Sequence, residues 1–297
     1  MSQNATAMPR KMKAAPASSN QDHSVHQVTP YQVICVIILV VLALLFTFPL
    51  YWIITGSFKG PQAVNAKVPV WFPLEPTLVN YQKLFEKTAL LWMYNTVFMC
   101  VAAMALTCIA AAMGGYALAK KRFTGRAFIF TLFVCAMALP KQVILIPLLK
   151  EMAFLGLHNT LWAVILPTVG WPFGVFLMKQ FSETIPTEIL EAARVDGSGE
   201  LRTFFSIVFP MIKPGVGALA IFTFVNSWND YFLQLIMLTK REVWTISLGI
   251  ARLQGEMSSD FGLIMAGATL AAIPIVTVFI VFQKYFTQGI AMGAVKG

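Results

Sequence analysis

The stretch EAARVDGSGELRTFFSIVFP, residues 191–210, is a charged island between two long apolar regions, too polar to cross a lipid bilayer. Pro186 ahead of it, the Gly197-Ser198-Gly199 break within it and Pro210 at its end predict two short helices joined by a tight turn. In the first, Ile189, Ala192 and Ala193 fall on one face. In the second, Leu201, Phe204, Phe205 and Val208 recur at i, i+3, i+4 and i+7, an apolar stripe backed by Glu200, Arg202 and Thr203. Such a pair needs a surface to dock against.

The regions on either side say what kind of molecule carries this island. Of 297 residues, 58% are apolar and only 12% charged, outside the range of ordinary soluble domains. A helix needs about 20 apolar residues to cross roughly 30 Å of hydrocarbon. Six runs qualify, over residues 31–54, 92–118, 127–146, 160–179, 213–238 and 261–282. No ten-residue alternation suggests a β-barrel. The expected fold is therefore an all-α integral membrane protein with six transmembrane helices. Pro140 predicts a kink or end in the third span, and Pro167, Gly170, Pro172 and Gly174 an irregular fourth. AAAMGGYALA, residues 110–119, supplies small residues that let another helix approach closely.

Residues 1–30 lack apolar periodicity and read as a disordered tail, with no cleavable signal pattern behind them. Residues 31–92 hold the first span and an external loop with a short surface helix around NYQKLFEK. Residues 93–297 form the main body, with the island's loop at 183–213 and a C-terminal tail. The loop KKRFTGR, residues 120–126, has four cations and no acid, so it stays cytoplasmic. That places the island and both termini in the cytoplasm as well.

The net charge of +9 is scattered among loops rather than gathered on one face, which disfavours nucleic acid as a partner. Cys35, Cys100, Cys108 and Cys135 have neither zinc nor disulfide spacing. There is no phosphate-binding G-x-x-x-x-G-K-[ST] loop, no H-E-x-x-H pair and no G-x-S-x-G elbow. No catalytic, cofactor-binding or metal-binding set emerges, so an enzyme is disfavoured. One polar cluster lies within the fifth span: Asn226, Trp228, Asn229 and Asp230 of FVNSWNDYF. Asn226, Asn229 and Asp230 share a face, and a carboxylate in hydrocarbon must find a partner or water. The cluster lines a translocation pathway or gate, or it holds the bundle together by interhelical hydrogen bonds.

The island resembles the EAA loop of ATP-binding-cassette importer permeases, E-A-A-x3-G-x9-I-x-L-P. Glu191, Ala192, Ala193, Gly197, Ile207 and Pro210 match in type and spacing, and Phe209 replaces the usual leucine. IPTEILEAARVDG, NSWNDYF, the Pro49, Trp52, Ser57, Phe58 and Lys59 pattern and the QKYFTQG and GAVKG ending are similar to carbohydrate importers, in particular to the smaller membrane subunit of maltose-type transporters. The resemblance implies a type I ABC importer permease whose cytoplasmic coupling helix pair docks on an ATPase. It implies a sister permease, two cytoplasmic ATPase subunits that bind ATP and Mg, an extracytoplasmic solute-binding protein and a place in the bacterial inner membrane. The coupling set it implies is Glu191, Ala192, Ala193, Asp196, Gly197, Leu201, Phe204, Phe205, Ile207 and Pro210. Glu191 would be the polar contact and Gly197 a left-handed helix end; Leu201, Phe204 and Phe205 would fill an ATPase cleft or pack on the chain's own spans. The competing class is a self-sufficient ion-coupled transporter or channel, which needs no ATPase.

Overall fold

The computed structural model describes residues 29–256 and 260–294, with side chains through residue 255 and over residues 260–281. Of the expected tail at 1–30, residues 1–28 lie outside the described residues, as do residues 257–259 and 295–297, and Pro30 already opens the first helix. The described residues are helical throughout their regular structure, with no strand. They divide into two units, one ending at Thr47 and the other running from Phe48.

The first unit carries most of α1 (Pro30–Ser57), whose residues 36–47 are all exposed although almost entirely apolar. A helix with this composition and no polar face is suited to hydrocarbon rather than water.

The second unit begins with the end of α1, where Asn80 is buried and its Nδ2 donates to the carbonyls of Ser57 and Lys59 at 2.9 and 2.8 Å. Those bonds fix the turn that follows the helix. Two short helices follow, α2 (Pro61–Val64) and α3 (Val79–Glu86), the latter where NYQKLFEK predicts one. The long α4 (Ala89–Lys120) is the central post. One end belongs to a core of Trp92, Met99, Ile165, Trp228 and Leu248, and the other to a core of Ala112, Tyr116, Met178, Phe204 and Val208.

The expected close approach in residues 110–119 occurs at Gly115. A Cβ there would lie 2.6 Å from the backbone of Met178 and Lys179. No side chain fits, and the glycine allows two helix backbones to touch.

The remaining helices are α5 (Arg126–Met137), α6 (Lys141–Phe154), α7 (Trp162–Val169), α8 (Pro172–Glu183), α9 (Thr187–Val195) and α10 (Glu200–Thr203). A π-helical turn over Phe204–Val208 precedes α11 (Phe209–Met211) and α12 (Lys213–Asn229). Then come α13 (Tyr231–Met237), a 3-10 turn over Arg241–Val243, α14 (Ile246–Glu256) and α15 (Phe261–Ala294).

Two expected spans are not continuous. The third turns by 108° between α5 and α6 at Pro140. At 1.5 Å per residue, twelve-residue α5 reaches only about 18 Å, short of the roughly 30 Å of a hydrocarbon core. The fifth ends at Asn229 rather than near residue 238, because Asp230 leaves helical geometry at φ −78°, ψ 69° and caps α13. Four stretches are long and apolar enough to cross a membrane, and the count rises to six if two bent pairs, α5 with α6 and residues 200–211 with α12 at 79°, are each one crossing. The fourth span, α7 with α8, is interrupted at Gly170 and Trp171 where the proline and glycine spacing predicts irregularity.

Candidate functional site

The island folds as a helix, a turn and a second helical segment. Pro186 caps α9, Glu188 sits in its first turn and Arg194 in its last, charges placed to suit the helix dipole. The helix closes through two backbone bonds, from Gly197 N–H to the Arg194 carbonyl and from Ser198 N–H to the Ala193 carbonyl, both 3.0 Å. This 6→1 and 5→2 pattern requires a left-handed residue after the cap, and Gly197 has φ +74°. Thr203 Oγ1 donates to Ser198 Oγ at 3.0 Å, tying the next helix to the turn.

The expected apolar stripe is split. Phe204 and Val208 are buried, whereas Leu201 is 65% and Phe205 52% exposed. A π turn spans Phe204–Val208, where the helix widens within the stripe. It lies directly before Pro210, which has no N–H to offer the preceding turn and crowds its carbonyl. Phe204 packs on Tyr116 of α4, ring centroids 5.8 Å apart. Of the remaining island residues, Glu191, Ala192, Asp196 and Pro210 are exposed, Ile207 is half-buried and Ala193 is buried.

The cationic loop after α4 braces this element. Lys120 Nζ donates to the carbonyls of Glu183 and Ile185 at 3.2 and 2.6 Å, where the C-terminal end of α8 favours a cation. Lys121 pairs with Glu200 at the start of α10 and lies 5.2 Å from the Tyr116 ring centroid. Burial alone would lower the Lys121 pKa, but the Glu200 carboxylate and the Tyr116 hydroxyl outweigh it and hold the ammonium above its ordinary value. Residues chosen for a topological signal thus also act as struts.

The second polar region surrounds the breaks in the expected third, fourth and fifth spans. A cavity of about 430 Å³ opens there, lined among others by Thr107, Lys141, Trp171, Phe222, Asn226 and Asp230. Asp230 Oδ2 is 3.3 Å from Lys141 Nζ, and its Oδ1 accepts from Leu233 N–H at 3.3 Å. Lys141 also lies 4.8 Å from the Trp171 ring centroid.

The four polar candidates of the fifth span do not act as one face. Asn226 and Asp230 border the cavity, Asn229 is exposed and bonded to its own helix at Val225, and Trp228 is 1% exposed in the core. The helix break after Asn229 separates what a continuous helix would align. Lys141 and Trp171 were not among the sequence candidates. The available signal was a cation in the first turn of a helix, the end where the dipole disfavours it.

A chain of packed helices, several of them long and apolar enough to cross a membrane, with an amphipathic island between apolar stretches, defines a multi-pass membrane protein of the transporter class. The chain belongs to the family of binding-protein-dependent transport system inner membrane components, whose family model matches residues 103–292. Members of this family are translocation components rather than enzymes.

The chain is similar to the arabinooligosaccharides transport system permease protein AraQ of Halalkalibacterium halodurans, 34% identical over 260 residues, covering 86% of this chain and 93% of that protein. It is also similar to the melibiose/raffinose/stachyose import permease protein MelC of Bacillus subtilis, 33% identical, covering 84% and 91%. Its fold is similar to a chain in the crystal structure of a bacterial ABC transporter involved in the import of the acidic polysaccharide alginate. There the TM-score is 0.77 at 23% identity, over 86% of this chain and 96% of that chain.

Proposed function

We propose that the chain is one of two permease subunits of an ATP-driven importer for an oligosaccharide or a chemically similar hydrophilic solute. In this reading α5 with α6 makes one crossing and α12 another, giving six with the four longer stretches, and both termini face the cytoplasm. The sister permease completes the pathway, an extracytoplasmic binding protein delivers the solute, and two cytoplasmic ATPase subunits hold ATP and Mg. The chain itself binds neither nucleotide nor metal.

The observation that carries the reading is the island's division of labour: Phe204 and Val208 anchor it to α4 while Leu201, Phe205 and Glu191 remain exposed. An element fixed on one side and apolar on the other is built to transmit displacement from a docked protein. Closure of the ATPase dimer pushes α9 and α10, and the Lys120 and Lys121 struts carry that motion into α4 and α8. Asn226 and Asp230 border the solute pathway at the helix breaks. The names of the relatives, which concern arabino- and galacto-oligosaccharides, melibiose and raffinose, support the solute class.

The test is purification of the chain with its partners and sugar uptake into liposomes. The expected result is co-purification of an ATPase and uptake that stops with vanadate. Uptake by the chain alone, driven by an ion gradient, overturns the proposal.

A further inference from the structure

We infer that Lys59 holds the phosphodiester of an anionic phospholipid in a small cavity beside the end of α1, apart from the cavity at the helix breaks. The inference goes beyond the import reading and does not depend on which solute is carried.

The cavity has a volume of about 140 Å³ and is lined among others by Trp52, Lys59, Ala63, Val70, Phe261 and Met265. Lys59 is the only ionisable residue of that lining, and it is 2% exposed. Among the described residues no carboxylate pairs with it. Asp260, next to Phe261, is engaged elsewhere: its Oδ2 pairs with Lys83 at 3.0 Å and its Oδ1 accepts from Leu263 N–H at 3.1 Å. The Lys59 Nζ instead lies 4.2 Å from the Trp52 ring centroid. A cation–π contact recovers only part of the hydration that a buried ammonium gives up. Burial accordingly pushes the Lys59 pKa below its ordinary value. A cation in this state is completed by an anion from outside the chain.

The backbone places Lys59 independently of its charge. Asn80 Nδ2 donates to the Ser57 and Lys59 carbonyls, and Thr77 N–H donates to the Phe58 carbonyl at 2.8 Å. A side chain at Gly56 would collide with Met265 Sδ, so α1 and α15 meet closely beside the cavity. The ammonium is therefore held in position before any ligand arrives, which lowers the cost of binding one.

The surroundings identify the anion. A volume of 140 Å³ is several times the roughly 30 Å³ share of one water molecule, enough for a phosphate group. Pro69 and Val70 of the lining belong to VPVWFPL, residues 68–74, which has no charge and exposes Val68, Trp71, Phe72 and Leu74. This loop is pinned to α1: Tyr51 Oη donates to the Trp71 carbonyl at 2.8 Å, and the Trp52 and Trp71 rings meet edge-on at 5.8 Å. Trp and Tyr at the end of an apolar helix mark the depth of the lipid headgroups. An uncharged loop with exposed apolar side chains fits the boundary between headgroups and acyl chains, and a phosphate in that leaflet lies level with Lys59. Phosphatidylglycerol carries no ammonium of its own to compete with Lys59 for the phosphate.

The experiment uses the complete transporter purified in detergent, stripped of lipid and then given phosphatidylglycerol, phosphatidylcholine or inorganic phosphate. Native mass spectrometry counts retained lipid and thermal unfolding is followed in parallel. Lys59→Met should retain one phosphatidylglycerol fewer per copy of this chain than wild type, whereas Lys59→Arg and the exposed-site variant Lys67→Met should retain the full number. Without lipid, Lys59→Met should melt at the wild-type temperature or above, because an unpaired buried ammonium is gone, and its gain from phosphatidylglycerol should shrink. Ala63→Phe keeps Lys59 but fills the cavity; it should lose the same lipid, and it decides the matter if Lys59→Met does not fold. Retention of the full number in Lys59→Met or in Ala63→Phe overturns the site. Equal destabilisation of Lys59→Met with and without lipid makes Lys59 a structural residue and overturns it as well. If inorganic phosphate stabilises wild type as phosphatidylglycerol does, the occupant is a free anion and the lipid is overturned. If Lys59→Met loses a partner subunit in every lipid, the anion is a carboxylate of that partner and the lipid is again overturned.

Discussion

Phe204 rests on Tyr116 with ring centroids 5.8 Å apart, while its neighbour Phe205 is 52% exposed. Two adjacent phenylalanines therefore have opposite duties. Truncating the buried ring leaves a cavity between the island and α4, so Phe204→Ala should lower the stability of the chain by about 3–5 kcal/mol. Phe205→Ala removes a half-exposed ring whose core contact is an edge-on approach to Phe204, and it should lower the melting temperature far less than Phe204→Ala while weakening ATPase co-purification. Thermal unfolding and pull-down of the two variants separate the roles; an equal loss of stability in both would contradict the division.

Lys121 and Glu200 join the end of α4 to the start of α10, with side chains 30% and 64% exposed. Pairs this open contribute on the order of 0–1 kcal/mol to stability. Their use is geometric, and Lys121→Glu should reduce sugar-stimulated ATP hydrolysis severalfold with little change in melting temperature. The exchange Lys121→Glu with Glu200→Lys should restore most of the coupling. Failure of the double variant to recover would show that the pair does not transmit motion.

The island was legible because its signals are local: prolines and glycines punctuate it, and Gly197 sits one residue past the cap of α9. The small-residue half of α4 was legible for the same reason, since Gly115 must meet a backbone. The break at Asp230 was not. FVNSWNDYF has helical periodicity, and what breaks the helix is a carboxylate drawn to Leu233 N–H and to Lys141, 89 residues away in sequence. The π turn was hidden similarly, since Pro210 marks a helix boundary but does not say that the preceding turn widens. Long-range polar pairing leaves no periodic trace, so the cavity at the helix breaks could be only half assembled from sequence, through Asn226 and Asp230.

Asn159 ties the loop after α6 to the segment after α13. At φ 62°, its Oδ1 accepts from Thr239 N, Thr239 Oγ1 and Lys240 N at 2.6, 2.7 and 3.1 Å, and its own N–H donates to the Met237 carbonyl. Asparagine tolerates the left-handed region better than alanine does. Losing the side-chain bonds and adding strain should cost on the order of 2–3 kcal/mol in an Asn159→Ala variant. Hydrogen exchange should accelerate in residues 237–245 and remain unchanged in α9. Exchange that rises uniformly across the chain would mean global destabilisation instead of a local release.

Gly197 offers the sharpest separation between backbone strain and steric crowding. No heavy atom lies within 4 Å of where a Cβ would stand, so any penalty at this position comes from φ +74° alone. Gly197→Asn, which adopts left-handed geometry at small cost, should retain most transport. Gly197→Val should cost roughly 1–3 kcal/mol of local strain and reopen the cap formed by the Ser198 and Gly197 amides, tilting α10 away from α9. Membrane insertion should be normal in both variants, while ATPase association falls only in the valine variant. If asparagine and valine impair association equally, the side chain obstructs a docked partner, and the role of Gly197 is contact rather than conformation.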